Sequence, residues 1–402
     1  MGINFPSTPT IGQLWPQPAV AGVPVWRWDG FAWIATGVSS LTGAVRYDIA
    51  QTLTSAQAAQ ARSNILAAPI ANPSANLLIN GDMSISQENG TTAIAPVNNA
   101  IRYIADQWVF APYQVANTAM WSVAQGLGSA YPGLTALLGM TAVTAWSAGN
   151  ASDAVTLYQP VEGQRWAKLG WGTANASPVS FGFWVAATIA GTLTLSIRNS
   201  PVNRSYVTAI SILGGAAWQY KTVTIPGDVA GTWATDTGMG VSINFCLGCG
   251  ATNTTPNSEV WQAGNFLAKS GITNFFASNN NQFYLAGVSL IPGSTPVPLE
   301  QSAAIRRDPA EELRLCQRYW EVRTATVYAY IATAGTTAMM IVPFIEKRVS
   351  PFASIASSIS STNATAPAIF DTTTTSCMVG ANAIATGIVS LRGAVIVANA
   401  RM

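Results

Sequence analysis

The chain has 402 residues, of which 9% are charged and 49% hydrophobic, and its formal net charge is +2. Ordinary soluble domains carry about 25% charged residues, so this surface must be covered by uncharged polar groups or by partner subunits, and association is the expectation. Near-neutrality without a Lys/Arg-rich window excludes the footprint of a nucleic-acid binder, and the lack of histidine excludes Ser-His-Asp, Cys-His and histidine-metal chemistry.

The opening MGINFPSTPTIG has neither the basic nor the apolar region of a secretory signal, and Pro6 stands where a myristoylation signal needs Ser or Thr. No apolar run reaches the ~18 residues of a membrane span. The expectation is a chain made in a cytoplasm that stays soluble or joins an assembly. Residues 1–44 are rich in Pro and Trp. Trp26, Trp28 and Trp33 flank Asp29-Gly30, which predicts a hairpin with a two-residue turn. So small a hairpin must pack its indoles on something. Trp15, Trp26, Trp28 and Trp33 are therefore candidate attachment residues, with sugar stacking the competing use.

In the connector, residues 45–75, Thr54 is an N-cap, Ala and Gln fill three turns and Pro69 follows, predicting a helix over residues 55–67. Its apolar face is mostly alanine, too small to hold alone, which suggests packing against copies of itself. The segment VRYDIAQTLTSAQAAQARSNI resembles the connector of bacteriophage tail-fibre proteins. That resemblance makes residues 1–44 the virion end and implies a homotrimer.

From NLLINGDMSISQ (residues 76–87) to FYLAGVSLIPG (residues 283–293) the chain reads as one all-β sandwich with these two stretches as its first and last strands. Between them, strands are predicted at 107–111, 120–124, 154–160, 179–186, 192–199, 206–213, 219–225, 240–247 and 283–290. The order of VSFGFWVAA, GTLTLSIRN, AWQYKTVTIPGDVAGTW and YLAGVSL resembles the carbohydrate-binding type of jelly roll, and the opening phrase resembles the start of that module in phage receptor-binding proteins.

Residues 294–402 hold a linker, a helix and a second β domain. Asp308 as N-cap, Pro309 at the first helical position and Glu311 in a capping box predict a helix over 309–322, with Leu313, Cys316 and Trp320 on its core face. Arg306 and Arg307 beside Asp308, Glu311 and Glu312 read as a neutralised surface. The phrase EELRLCQRYWEV resembles a segment of phage tail-fibre and receptor-binding proteins. The large side chains of the last domain are Tyr328, Tyr330, Met339, Ile341, Phe344 and Ile396. The fold class is thus mainly β: a jelly-roll sandwich, then a smaller C-terminal sandwich, with two short helices and a trimeric assembly.

Chemistry is sparse. Cys246 and Cys249 form a C-x-x-C, but without histidine or a second such pair they read as strand residues running into a Gly turn, and no metal or cofactor is expected. Glycoside hydrolysis needs two carboxylates roughly 5–10 Å apart. Asp82, Asp106, Asp153, Glu162, Asp228, Asp236 and Glu259 are available, yet no local spacing joins any two. Glycan binding by loop aromatics and amides fits a low-charge surface better. The candidates are Trp146, Trp166, Trp171, Trp233, Trp261, Asn281 and Tyr284, while Trp218 reads as structural. The expected function is a non-enzymatic virion fibre that adheres to a bacterial surface glycan or protein. The rivals are a head-fibre, collar or decoration protein that binds virion partners, and a polysaccharide-degrading spike.

Overall fold

The computed structural model describes residues 4–20, 23–38, 57, 72–97, 100–114, 120–128, 132–357 and 360–402. Apart from residue 57, which is helical, the connector helix expected over 55–67 lies outside them. The chain is mainly β and divides into two compact units, Met1–Pro69 and Ile70–Met402.

In the first unit β1 (Leu14–Trp15), β2 (Pro24–Trp28) and β3 (Trp33–Val38) pair in that order. Trp28 lies opposite Trp33, so the connecting turn has four residues, 29–32, rather than two. The Asp29 carboxylate sets that turn by accepting the backbone N–H groups of Phe31 and Ala32, both at 2.8 Å. Phe5 stacks on Trp33 with centroids 5.0 Å apart and meets Trp26 edge-on at 5.4 Å. These rings supply the apolar area that so short a sheet needs.

The second unit contains β4 (Ile94–Val97), β5 (Arg102–Ala105), β6 (Trp108–Tyr113), β7 (Met120–Leu127), β8 (Ala136–Thr144) and β9 (Ala154–Glu162). After a short helix α1 (Gly163–Trp166) come β10 (Val179–Ala187), β11 (Gly191–Asn199), β12 (Arg204–Ile212), β13 (Gln219–Ile225) and β14 (Met239–Cys249). The module ends with β15 (Thr254–Thr255), β16 (Trp261–Ala263), β17 (Ala268–Lys269) and β18 (Gln282–Pro292). Among the described residues these form a six-stranded sheet, β13-β10-β18-β8-β7-β4, a seven-stranded sheet, β16-β12-β11-β14-β9-β6-β5, and a short parallel pair, β15-β17. The two large sheets pack face to face as a jelly roll. Leu193, Leu195 and Ile197 of one sheet and Phe181, Phe183 and Val185 of the other are fully buried, which is the inward half of the period-2 alternation. Phe183 meets Phe245 nearly edge-on at 5.2 Å, and Phe110 meets Trp121 at 5.7 Å.

The opening phrase is not a strand. Asn80 (φ +54°) and Met83 (φ +62°) turn the backbone, and side chains replace ladder bonds. The Asn76 amide bonds Val288 O and accepts Leu290 N–H, while Leu77 N–H donates to Leu290 O at 2.8 Å. Gly81 passes so close to β18 that a Cβ there would sit 2.3 Å from Val288 O, so only glycine fits. The Asn80 amide donates to Ile85 O and Asp106 O and accepts Ile85 N–H, and its carbonyl accepts the Trp108 indole N–H.

After the linker come α2 (Pro309–Gln317), β19 (Trp320–Ile331), β20 (Thr337–Pro343), β21 (Phe352–Ser357), β22 (Ser360–Thr362), β23 (Ala368–Thr372), β24 (Ser376–Asn382) and β25 (Gly387–Asn399). They build the smaller sandwich: β19-β25-β21 with β22 also on β25, facing β20-β24-β23. Asp308 caps α2 through Ala310 N–H at 2.9 Å, as expected. The helix stops at Gln317 rather than 322, because residues 320–322 pair with β25. Its buried face also differs. Leu313 is exposed and Glu312 is buried, where it accepts Asn80 N–H at 2.6 Å and pairs with Arg307, itself buried rather than on the surface. Phe344 and Ile396 are core, whereas Tyr328, Tyr330, Met339 and Ile341 face outward, because Ala325, Val327, Ala338 and Val342 take the inward register.

A polar joint ties the two sandwiches. Glu162, at the end of β9, accepts two hydrogen bonds from Arg318 (2.7 and 3.0 Å) and one from Tyr319 Oη (2.7 Å). Tyr103 Oη donates to Met402 O, Gln87 to Trp320 O, and Arg348 to Thr237 O. Within the smaller sandwich Lys347 and Glu321, both fully buried, pair at 2.6 Å.

Candidate functional site

Trp166, Trp171 and Trp233 are buried, and Trp261 is half-buried. They gather where β9 and β13 end and β10 and β14 begin. Trp171 meets the other three nearly edge-on at 4.7, 4.8 and 5.0 Å. Three indole N–H groups point into backbone carbonyls: Trp171 to Ser177, Trp233 to Ala230 and Trp261 to Pro226. Gly172, at φ +85°, allows the contact, since a Cβ there would lie 2.8 Å from Gly231 O and 3.2 Å from the Trp233 ring. The cluster plugs one end of the sandwich, with Trp261 its partly exposed member. Trp146 is also core, packed against Gly248. The expectation of loop platforms is corrected for Trp146, Trp166, Trp171 and Trp233, whose indoles pack inward more favourably than they stand in water, while Trp261 stays partly exposed on β16.

Tyr284 is half-exposed on the outer face of the six-stranded sheet, 6.1 Å from Trp218 and above Gly139. Asn281 lies at the start of that strand, its carbonyl accepting Ala142 N–H. The neighbouring part of this face is covered by the linker, which bonds Tyr220 through Val297 O and Trp184 through Ser302 Oγ.

The outer face of the seven-stranded sheet is built differently. Strand register aligns Tyr103, Val109, Tyr158, Asn244, Ser196 and Val207 in one row across β5, β6, β9, β14, β11 and β12. The next row holds Ala111, Thr156, Cys246, Thr194 and Ala209. Val109, Ala111, Thr156, Asn244, Ser196, Thr194 and Cys246 are all buried, so these small side chains lie beneath their larger neighbours and solvent meets those neighbours instead. Tyr113 stands at one side, 43% exposed, and Tyr158 and Arg198 are partly exposed beside it. At the far side residues 263–272 lie across the sheet. Leu267 and Ala268 pack on Ala154 and Cys246, and Lys269 N–H reaches Thr194 Oγ1 at 3.4 Å. At the β5 edge the face meets a recess of about 450 Å³ lined by Glu88, Asn89, Ile94, Ile101, Arg102, Tyr103 and Arg401. The Arg401 guanidinium stacks on Tyr103 at 4.1 Å.

Around Tyr113 this face therefore combines phenol rings for stacking, phenol hydroxyls and amides for hydrogen bonding, and the Arg198 cation. Burial raises the pKa of Tyr103, Tyr113 and Tyr158, so all three stay neutral donors at physiological pH. A raised folded pKa means that the unfolded chain releases its phenolic protons first. The stability these groups contribute is thus complete below pH 10, the unperturbed value, and is lost as pH rises through the folded values. Tyrosinate absorbance should lag that of free tyrosine above pH 10 and then rise together with loss of the fold; ionisation at the free value with the fold intact would contradict the burial.

Sequence reasoning missed Tyr113, Tyr158 and Arg198 because it sought tryptophans in loops. Their signal was the outward phase of the strands, as in the alternation Thr156-Tyr158 against Val155-Leu157.

Fold and face together define a jelly-roll protein with Tyr113, Tyr158 and Arg198 gathered on the outer face of its seven-stranded sheet. No family model matches the chain, and no curated protein matches it. Among solved structures, the Family 11 carbohydrate-binding module of a cellulosomal cellulase of Clostridium thermocellum is similar over 50% of this chain and 98% of its own, at 12% identity and a TM-score of 0.25. A structure titled "CBM4 structure and function" is similar over 46% of this chain and 86% of its own, at 13% identity and a TM-score of 0.26. The enzymatically active domain of tailspike protein 4 of bacteriophage CBA120 is similar over 55% of this chain but only 22% of its own, at 9% identity and a TM-score of 0.30.

Proposed function

We propose that the chain is a homotrimeric virion fibre subunit that attaches to a phage particle through residues 1–44 and binds a host surface glycan, without hydrolysing it, through the outer face of the seven-stranded sheet. The observation that carries the binding reading is that Tyr113, Tyr158 and Arg198 stand together, each partly exposed, on this outer face. Such a surface accepts a sugar ring against a phenol face while amides and hydroxyls meet its hydroxyl groups. The non-hydrolytic reading is supported by the engagement of the candidate carboxylates. Asp82 pairs with Arg306, Glu162 with Arg318 and Asp228 with Arg204; Asp106 holds Gln87, Glu259 holds Tyr206 and Thr208, Asp153 accepts the N–H groups of Gly149 and Asn150, and Asp236 that of Gly238. The fibre reading is supported by the connector phrase and EELRLCQRYWEV.

The test is whether the purified chain binds host cells and competes with phage adsorption. Tyr158→Ala should weaken binding roughly 5- to 10-fold, the size expected for one lost ring contact, and removal of residues 1–44 should abolish incorporation but not binding. Well-folded protein that neither binds nor competes would favour a virion-internal role.

A further inference from the structure

We infer that the sugar taken by this face carries an anionic group, a carboxylate or a phosphate, that pairs with Arg198; the inference rests on the glycan-binding reading above. Arg198 extends from β11 beside Ser242. Its guanidinium is held in place by two neutral oxygens, Asn244 Oδ1 at 3.2 Å and Asn265 Oδ1 at 2.6 Å, and its Nε–H is buried without a partner. The other groups that face it are Tyr113, Tyr158, Cys246 and Cys249, none of them a carboxylate.

The other arginines with low exposure in this unit are treated differently. Arg204, Arg307, Arg318 and Arg401 each pair with a carboxylate. Arg165 and Arg348 end in backbone carbonyls, those of Asn76 and Leu77 for the first and of Thr237, Ala400 and Arg401 for the second. Among the described residues Arg198 bonds neither kind of group. A cation withdrawn from water without a counterion is costly, and desolvation accordingly draws its pKa below the usual arginine value. An anion arriving from solvent removes that cost. The guanidinium fork, already oriented by its two amides, matches the paired oxygens of a carboxylate or phosphate. A neutral sugar gains much less from the same group.

The experiment uses the full chain on a glycan array carrying neutral, uronate-bearing and phosphate-bearing saccharides, with hits remeasured by calorimetry at low and high salt. A uronate hit is also measured after reduction of its carboxyl to the neutral alcohol. The expected result is preferential binding of acidic saccharides, weakened by salt and weakened about 10- to 100-fold by carboxyl reduction or by Arg198→Gln. Arg198→Lys, which keeps the charge but not the fork, should fall between. Carboxyl reduction needs no variant, so it decides the matter even if Arg198 also secures the segment around Asn265. Loss on reduction assigns the carboxylate, and binding confined to the phosphate-bearing members assigns phosphate. Neutral saccharides bound as tightly as acidic ones would overturn the anionic assignment and leave glycan binding standing. Binding of no saccharide would overturn both.

Discussion

Glu162→Ala should destabilise the unit formed by residues 70–402 by about 2–4 kcal/mol, the cost of losing charge-assisted hydrogen bonds and leaving a buried phenol unpaired while the guanidinium keeps some access to water. The Glu162 side chain is 2% exposed and is the shared acceptor for Arg318 Nε, Arg318 Nη2 and Tyr319 Oη. Its removal strands a guanidinium and a buried phenol at the seam between the sandwiches. The urea midpoint followed by tryptophan fluorescence should fall, and limited proteolysis should begin to cut near residues 293–308, where the linker crosses the seam. Glu162→Gln retains an acceptor and should cost less. If both variants unfold like the parent, the seam is not held by this carboxylate.

Glu321→Ala should be comparably severe for the smaller sandwich. Glu321 and Lys347 are both fully buried, and the same carboxylate accepts Ile345 N–H at 3.0 Å and pairs with Arg323. Without it, the Lys347 ammonium keeps only Gln317 O and sits in an apolar wall beside Phe344. Desolvation already lowers the Lys347 pKa in the intact protein. A lysine whose folded pKa is lowered binds its proton less tightly when folded, so its cost to stability is complete below the folded pKa and is relieved as pH rises towards 10.5. The Glu321→Ala variant should therefore recover part of its deficit between neutral and mildly alkaline pH, below the range where tyrosine ionisation works against the fold. The double variant Glu321→Gln, Lys347→Met should recover more at pH 7, because a neutral packed pair needs no counter-charge. A double variant as unstable as Glu321→Ala alone would show that packing rather than charge governs the site.

The strands of the jelly roll were legible because inward positions alternate with large aliphatic and aromatic residues. The reading of residues 219–225 matches β13 at both ends, and most other strands agree within two residues. β8 escaped notice. Its inward residues Leu138, Met140 and Ala142 are separated by Gly139 and Thr141, a weak pattern that only cross-strand pairing with β7 and β18 makes a strand. The turn chemistry of Asn80 and Gly81 was misread as a strand for the opposite reason. The apolar residues Leu77, Leu78 and Ile79 look extended, but amide side chains at Asn76 and Asn80 do the bonding. The end of α2 followed a long-range choice, since residues 320–322 could continue a helix locally but gain more from β25. As for the candidate site, a sequence shows which residues alternate but not which strands are neighbours, and so the grouping of Tyr113, Tyr158 and Arg198 became recognisable only from the strand register.

The jelly roll begins and ends at neighbouring points. Asn76 and Leu77 are bonded to Leu290, and Arg307 reaches back to Asn76 O and Leu78 O. A pull applied along the chain, between the segment before residue 76 and the helix after residue 308, is therefore borne by this short cross-link. The roughly 200 residues between hang from it as a side loop outside the load path. Under such a load the two sheets would keep their shape until those few bonds part, so the clamp acts as a mechanical fuse for the jelly roll.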